Sequence, residues 1–73
     1  MPRVKLFSEY GCTVLRRGEK YYIQYDSGEA AGSSLMENEI TFSEVERARK
    51  SEQEAYEVIM DATKRSIPIK VDV

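Results

Sequence analysis

Along residues 3–10, RVKLFSEY, apolar and polar positions alternate, with Val4 and Leu6 on one side and Lys5, Phe7 and Glu9 on the other. A period of two is that of a half-buried strand, because successive side chains of an extended chain point to opposite faces. Gly11 breaks the run, Thr13 to Arg16 resumes it, and Arg17-Gly18-Glu19 supplies a tight turn into Lys20 to Asp26, which together make a hairpin. Within Lys20 to Asp26, Tyr21, Ile23 and Tyr25 fall on one face, the one expected to meet the core. Tyr22, Gln24 and Asp26 fall on the other. Asp26-Ser27-Gly28 has turn chemistry, an aspartate that bonds its own backbone ahead of a glycine free to take positive φ, and it predicts a return strand over Glu29 to Met36. Ala30, Ala31, Gly32, Ser33 and Ser34 give that strand little to pack, so it reads as a weak edge.

From Thr41 the pattern turns helical, with Ser43 as N-cap and Glu46 three residues later completing a capping box. The apolar stripe that begins at Val45 and Ala48 runs on to Glu52, Ala55, Ile59 and Ala62, so one straight helix would direct a glutamate into the seam. Ser51-Glu52-Gln53-Glu54 is a second capping box and resolves the conflict by restarting the helix. Two helices are therefore expected, over 43–50 and 52–65. The second should bury Ala55, Tyr56 and Ile59, with Val58 and Ala62 beside them, and end on Lys64 and Arg65, where cations suit the carbonyl end. Pro68 forbids continuation. The tail SIPIKVDV alternates Ile67, Ile69, Val71 and Val73 against Pro68, Lys70 and Asp72, a strand pattern that asks for a sheet edge in this subunit or in another.

These elements predict an α+β fold, a small antiparallel sheet of three to four strands packed against one or two C-terminal helices, with room for an extra C-terminal strand. One domain, residues 1–73, divides into a sheet region over 3–41, a helical region over 43–65 and a tail strand over 66–73. A chain of 73 residues buries only about 60% of the surface its unfolded form exposes. With no disulfide pair to staple it, such a domain gains from a partner or a second copy, so a homodimer stays open. The lone Cys12 is expected to be a small buried filler. No stretch has the form of a signal peptide, no apolar run nears the roughly 20 residues that span a bilayer, and Pro2 excludes N-terminal myristoylation. A cytoplasmic protein without membrane attachment is expected.

Charge and chemistry narrow the function. Eleven basic and thirteen acidic residues leave a net charge of −2 and a pI near 5.1, which opposes attraction to a phosphate backbone. The bases Arg3, Lys5, Arg16, Arg17 and Lys20 lie early, whereas Asp26, Glu29, Glu37 and Glu39 follow with no base before Arg47, so one flank is acidic. The chain has no histidine, Cys12 has no activating partner, and Gly28 and Gly32 match no phosphate-binding loop. Asp26 with Glu29 could be drawn as an acid–base pair, but a turn residue and its solvated neighbour is the simpler reading. No catalytic residue, cofactor or metal is expected, and the chain is not read as an enzyme. A nucleic-acid module would stack bases on Tyr22 beside Lys5 and Arg16, against which stand the core-facing Tyr21 and Tyr25 and the acidic run. An assembly protein would need only its tail strand to join a neighbour's sheet.

The segments VKLFSEYGC, EKYYIQYDSGE and ITFSEVERARKSEQEAYEVIM resemble small bacterial immunity proteins of polymorphic or contact-dependent toxin systems, over about residues 4–60. The resemblance implies an inhibitor in the cytoplasm of a toxin-producing bacterium, bound to a cognate toxin domain that is often a nuclease. It carries no set of binding residues, so these come from the chain's own physics. A nuclease site is electropositive, and a protein that occludes it presents carboxylates with rigid aromatic anchors. The candidates are Tyr22, Gln24, Asp26, Glu29, Glu37 and Glu39. The helical carboxylates Glu44, Glu46, Glu52, Glu54 and Glu57 form a rival surface, ranked second because caps and helix starts account for three of them, Glu46, Glu52 and Glu54.

Overall fold

The computed structural model describes residues 3–26 and 35–71. Five strands and two helices follow in the order β1 (Val4–Glu9), β2 (Cys12–Arg17), β3 (Lys20–Asp26), β4 (Leu35–Ile40), α1 (Phe42–Lys50), α2 (Glu52–Arg65) and β5 (Ile69–Val71). The strands form one sheet in chain order, each antiparallel to its neighbour. The fold is α+β, with five strands where the pattern predicted three to four and an optional tail strand.

Two tight turns set the register of the first three strands. Tyr10 and Gly11 both take positive φ, 56° and 75°, between the paired residues Glu9 and Cys12. Two left-handed residues in succession match the right-handed twist of the flanking strands. Gly18, at φ 65°, opens the second turn, between Arg17 and Lys20. Glycine meets that conformation without a Cβ penalty. Tyrosine at position 10 does not, and it is a point of strain.

Three expectations are corrected. The alternation across β1 is interrupted, because the register slips between Lys5 and Phe7 and leaves Leu6 as an extra residue. Such a bulge turns the rest of the strand over, so Phe7 pairs with Val14 and packs against the core, as does Leu6 from the bulge itself. Arg49 lies over the Phe7 ring, 5.0 Å from its centroid. The return strand starts at Leu35 and runs to Ile40, so Glu37 and Glu39 sit on a strand rather than in a loop before the helix. Of the expected strand over 29–36, residues 29–34 lie outside the described residues. Tyr56, expected in the core, is 59% exposed, while Ala55, Val58 and Ala62 carry the buried stripe of α2.

The caps are also redistributed. The N-cap of α1 is Thr41, whose hydroxyl accepts from Glu44 N (3.2 Å) while the Glu44 carboxylate accepts from Thr41 N (2.9 Å). Ser43 is thus inside the helix and Glu46 loses its capping role. Ser51 ends α1 and caps α2: its extended backbone breaks the helix and its hydroxyl accepts from Glu54 N at 3.2 Å. Glu54 does not close the box, because its carboxylate is drawn to Arg47 Nε at 3.1 Å. The same guanidinium reaches Glu57 at 3.4 Å and Asp61 at 3.3 Å, so one arginine of α1 clamps three carboxylates spaced along one side of α2.

Register assigns the faces. Val14, Ile23 and Asn38 are aligned across β2, β3 and β4, as are Cys12, Tyr25 and Met36, and Arg16, Tyr21 and Ile40. From this face Cys12, Val14, Ile23 and Ile40 join Val45, Ala48, Ala55, Val58 and Ala62 of the helices in one core cluster. Three alanines let the helices approach closely, and the core stays small, with Ile23, Val14 and Val58 its largest fully buried side chains. Tyr21 and Tyr25 flank it as expected, Tyr21 with its ring 5.5 Å from Phe42. Cys12 is buried, its thiol donating to Glu9 O at 3.2 Å. Burial, aided by the Glu9 charge, pushes its pKa up, which keeps it a protonated filler.

Candidate functional site

The other face of the sheet is covered by neither helix. Across it, Leu15, Tyr22 and Glu39 are aligned on β2, β3 and β4, followed by Thr13, Gln24 and Glu37, then Asp26 and Leu35, with Ile69 and Val71 of β5 continuing the last two rows. Five of the six candidates, Tyr22, Gln24, Asp26, Glu37 and Glu39, therefore share one surface. Glu29 lies outside the described residues. The period of two explains the convergence: positions 22, 24 and 26 of one strand and 37 and 39 of its antiparallel neighbour point the same way once Gln24 pairs with Glu37.

The carboxylates differ in setting. Glu37 is only 8% exposed, and its Oε1 accepts from Gln24 Nε2 at 2.9 Å while Arg3 approaches the same oxygen at 3.8 Å. Glu39 is exposed, with Lys20 Nζ 3.9 Å away. Asp26 is exposed at the end of β3. The early bases thus fold back towards the acidic residues that follow them, and the patch is less negative than its own carboxylates suggest. Both ion pairs are long and solvated on the basic side, so either cation can be exchanged for another at little cost.

Beside this patch, the segment after α2 builds a wall. Tyr22, Glu37, Glu39, Ile67 and Ile69 surround a recess of about 240 Å³, to which Asn38 and Ser66 contribute. Ile67 is 88% and Ile69 65% exposed, large apolar side chains turned to solvent next to two glutamates and a tyrosine.

Asn38 holds that wall. Its amide nitrogen donates to Ala62 O (3.4 Å), Ser66 O (3.3 Å) and Ser66 Oγ (3.2 Å), and its oxygen accepts from the Tyr25 hydroxyl. One buried side chain of β4 thus reaches two carbonyls at the end of α2, Ala62 O, which also accepts from Ser66 N at 3.0 Å, and Ser66 O of the cap residue. Burial raises the Tyr25 pKa, so the phenol stays a donor. Asn38 was not among the sequence candidates, although MENEI itself alternates Met36, Asn38 and Ile40 against Glu37 and Glu39, which places an asparagine on a core face where it must find partners.

The rival acidic surface is largely tied internally. Glu54 and Glu57 are bound by Arg47, and Glu44 is buried beneath Arg65, which donates to it at 2.7 and 3.1 Å. Burial pushes the Glu44 carboxyl up, but the Arg65 and Thr41 hydrogen bonds outweigh it and hold the pKa below the usual carboxylate range. Only Glu46 and Glu52 of that set remain exposed. Among the described residues no helix is long and apolar enough to cross a membrane. No family model, curated protein or solved structure matches the chain.

Proposed function

We propose that this protein binds another protein through the sheet face that the helices leave free and neutralises it, in the manner of an immunity protein bound to its toxin domain. The observation that supports the reading is the convergence of Tyr22, Gln24, Asp26, Glu37 and Glu39 on one face that neither helix covers. A rigid aromatic beside exchangeable carboxylates is what a basic, substrate-handling surface would meet. Inhibition by occlusion of a nuclease site is the specific form that the sequence resemblance adds. The test is co-expression of the tagged chain with the product of the gene immediately upstream in its genome, scoring co-purification and rescue of growth. Capture with rescue, lost on Glu39→Lys or Tyr22→Ala, supports the reading; a non-toxic upstream product that fails to co-purify removes it.

A second reading, self-association, is favoured by two exposed isoleucines, Ile69 on the short edge strand β5 and Ile67 just before it. Sedimentation at increasing concentration separates the two: a dimer that dissociates on Ile67→Asp and Ile69→Lys, with no foreign partner captured, selects self-association.

A further inference from the structure

We infer that the recess between β4, β5 and the segment after α2 is an anchor site for one long cationic side chain, an arginine or lysine, of the bound partner. The inference rests on the sheet face away from the helices being the partner-binding face, and it names what that face grips.

The lining is matched to such a side chain along its length. Ile67 and Ile69 offer apolar contact for an aliphatic stem, the Tyr22 ring an aromatic surface for a guanidinium or ammonium, and Glu37 and Glu39 the carboxylates for its head. Neither a neutral apolar group nor an anion suits the same lining, since the first would strand two carboxylates and the second would face both. The chain's own cations show that these oxygens draw positive charge: Arg3 reaches Glu37 and Lys20 reaches Glu39, both at nearly 4 Å from solvated positions. A partner's arginine entering the recess has only loose pairs to displace. The wall is also fixed in advance, because Asn38 ties Ser66, next to Ile67, to β4. A site held by buried hydrogen bonds loses less on binding than one that must first be ordered.

The experiment is a two-dimensional NMR titration of the whole chain with N-acetyl-arginine amide at low salt, and in parallel with N-acetyl-citrulline amide, which has the same shape without the charge. Saturable shifts confined to Tyr22, Glu37, Glu39, Ile67 and Ile69 are expected for arginine, with a Kd of about 1–10 mM, the range open to a single small group. Citrulline should bind at least fivefold more weakly, and Glu39→Gln and Ile67→Ala should each weaken arginine at least threefold in spectra that are otherwise native. Equal shifts from the two probes, or arginine shifts spread over the helical carboxylates, would overturn the inference. A chain that captures its upstream partner yet ignores the arginine probe would lose the recess and keep the face, so the two failures are distinguishable.

Discussion

Replacing Asn38 with alanine should cost far more than its place between two glutamates suggests. The side chain is 2% exposed and engages four acceptor or donor atoms, three through its NH2 group and one through its oxygen. Two amide protons shared among three acceptors at 3.2–3.4 Å make long bonds, worth about 0.5 kcal/mol per proton, and the Tyr25 bond adds about 1 kcal/mol. The space left by the amide adds a packing loss of about 0.5–1 kcal/mol. The expected total is about 2.5–3 kcal/mol, a fall in Tm of roughly 10–20 °C for a domain of this size. Urea unfolding followed by circular dichroism measures it. Asn38→Asp sharpens the test, because it keeps an acceptor for Tyr25 while setting a negative charge against the carbonyl end of α2, where the helix dipole already repels it. It should be at least as damaging near neutral pH and recover as the introduced carboxyl protonates. Tyr25→Phe combined with Asn38→Ala should fall short of additivity by about 1 kcal/mol, since the pair shares one bond. A loss below about 0.5 kcal/mol for Asn38→Ala, or strict additivity in the cycle, would refute the account of Asn38 as the tie between sheet and helix.

Two further outcomes test the local physics. Glu44→Gln should lower stability by about 1–2 kcal/mol near neutral pH, through loss of the capping carboxylate and the double bond from half-exposed Arg65. Because the native pKa of Glu44 is lowered, its contribution is full above the usual carboxylate range, near 4.3, and disappears as pH falls through the lower native value, so the wild-type and variant urea midpoints should converge in acid. Tyr10→Asn should raise stability by about 0.5–1 kcal/mol, since asparagine accepts the positive φ of this turn and the tyrosine is 45% exposed; an unchanged urea midpoint would mean that the backbone strain is not felt.

Strand and helix periodicity made most of the architecture legible: the β2–β3 hairpin, the break at Ser51, the division of Tyr21 and Tyr25 from Tyr22 and Gln24, and a strand in the tail. The misses have definite causes. The bulge at Leu6 is invisible because an extra residue leaves the local composition unchanged while inverting everything after it. The cap moved from Ser43 to Thr41 because two overlapping boxes, Thr41 with Glu44 and Ser43 with Glu46, are equally good on paper, and Arg65, 21 residues beyond Glu44, decides between them. The spacing of Tyr56 predicts an inward ring, yet Ala48, Ala55 and Ala62 form the helical seam and the ring is left 59% exposed beside it. The candidate face was legible because it needed only strand parity. The recess was not, since Ile67 and Ile69 come to Tyr22 only after two helices bring the chain back.

Two glutamates are nearly buried, and the contrast between them bears on function. Glu44 receives two bonds from Arg65 and one from Thr41 N, enough to repay its removal from water. Glu37, 8% exposed, receives among the described residues one neutral hydrogen bond, from Gln24, and a long ion pair, 3.8 Å, from an arginine that is 46% exposed. Desolvating a carboxylate costs several kcal/mol before compensation, and the partners of Glu37 among the described residues offset less of that cost than those of Glu44. Glu37→Gln, which keeps an acceptor for Gln24, should leave stability within about 0.5 kcal/mol of wild type or raise it, whereas Glu44→Gln lowers it. On the proposed reading, the same Glu37→Gln chain should also lose capture of the upstream gene product. A drop of 2 kcal/mol or more in Glu37→Gln, measured by urea unfolding beside Glu44→Gln, would make the residue a structural one and withdraw it from the binding face. A stable variant that no longer binds would show a carboxylate kept at the expense of stability for a cation that comes from another molecule.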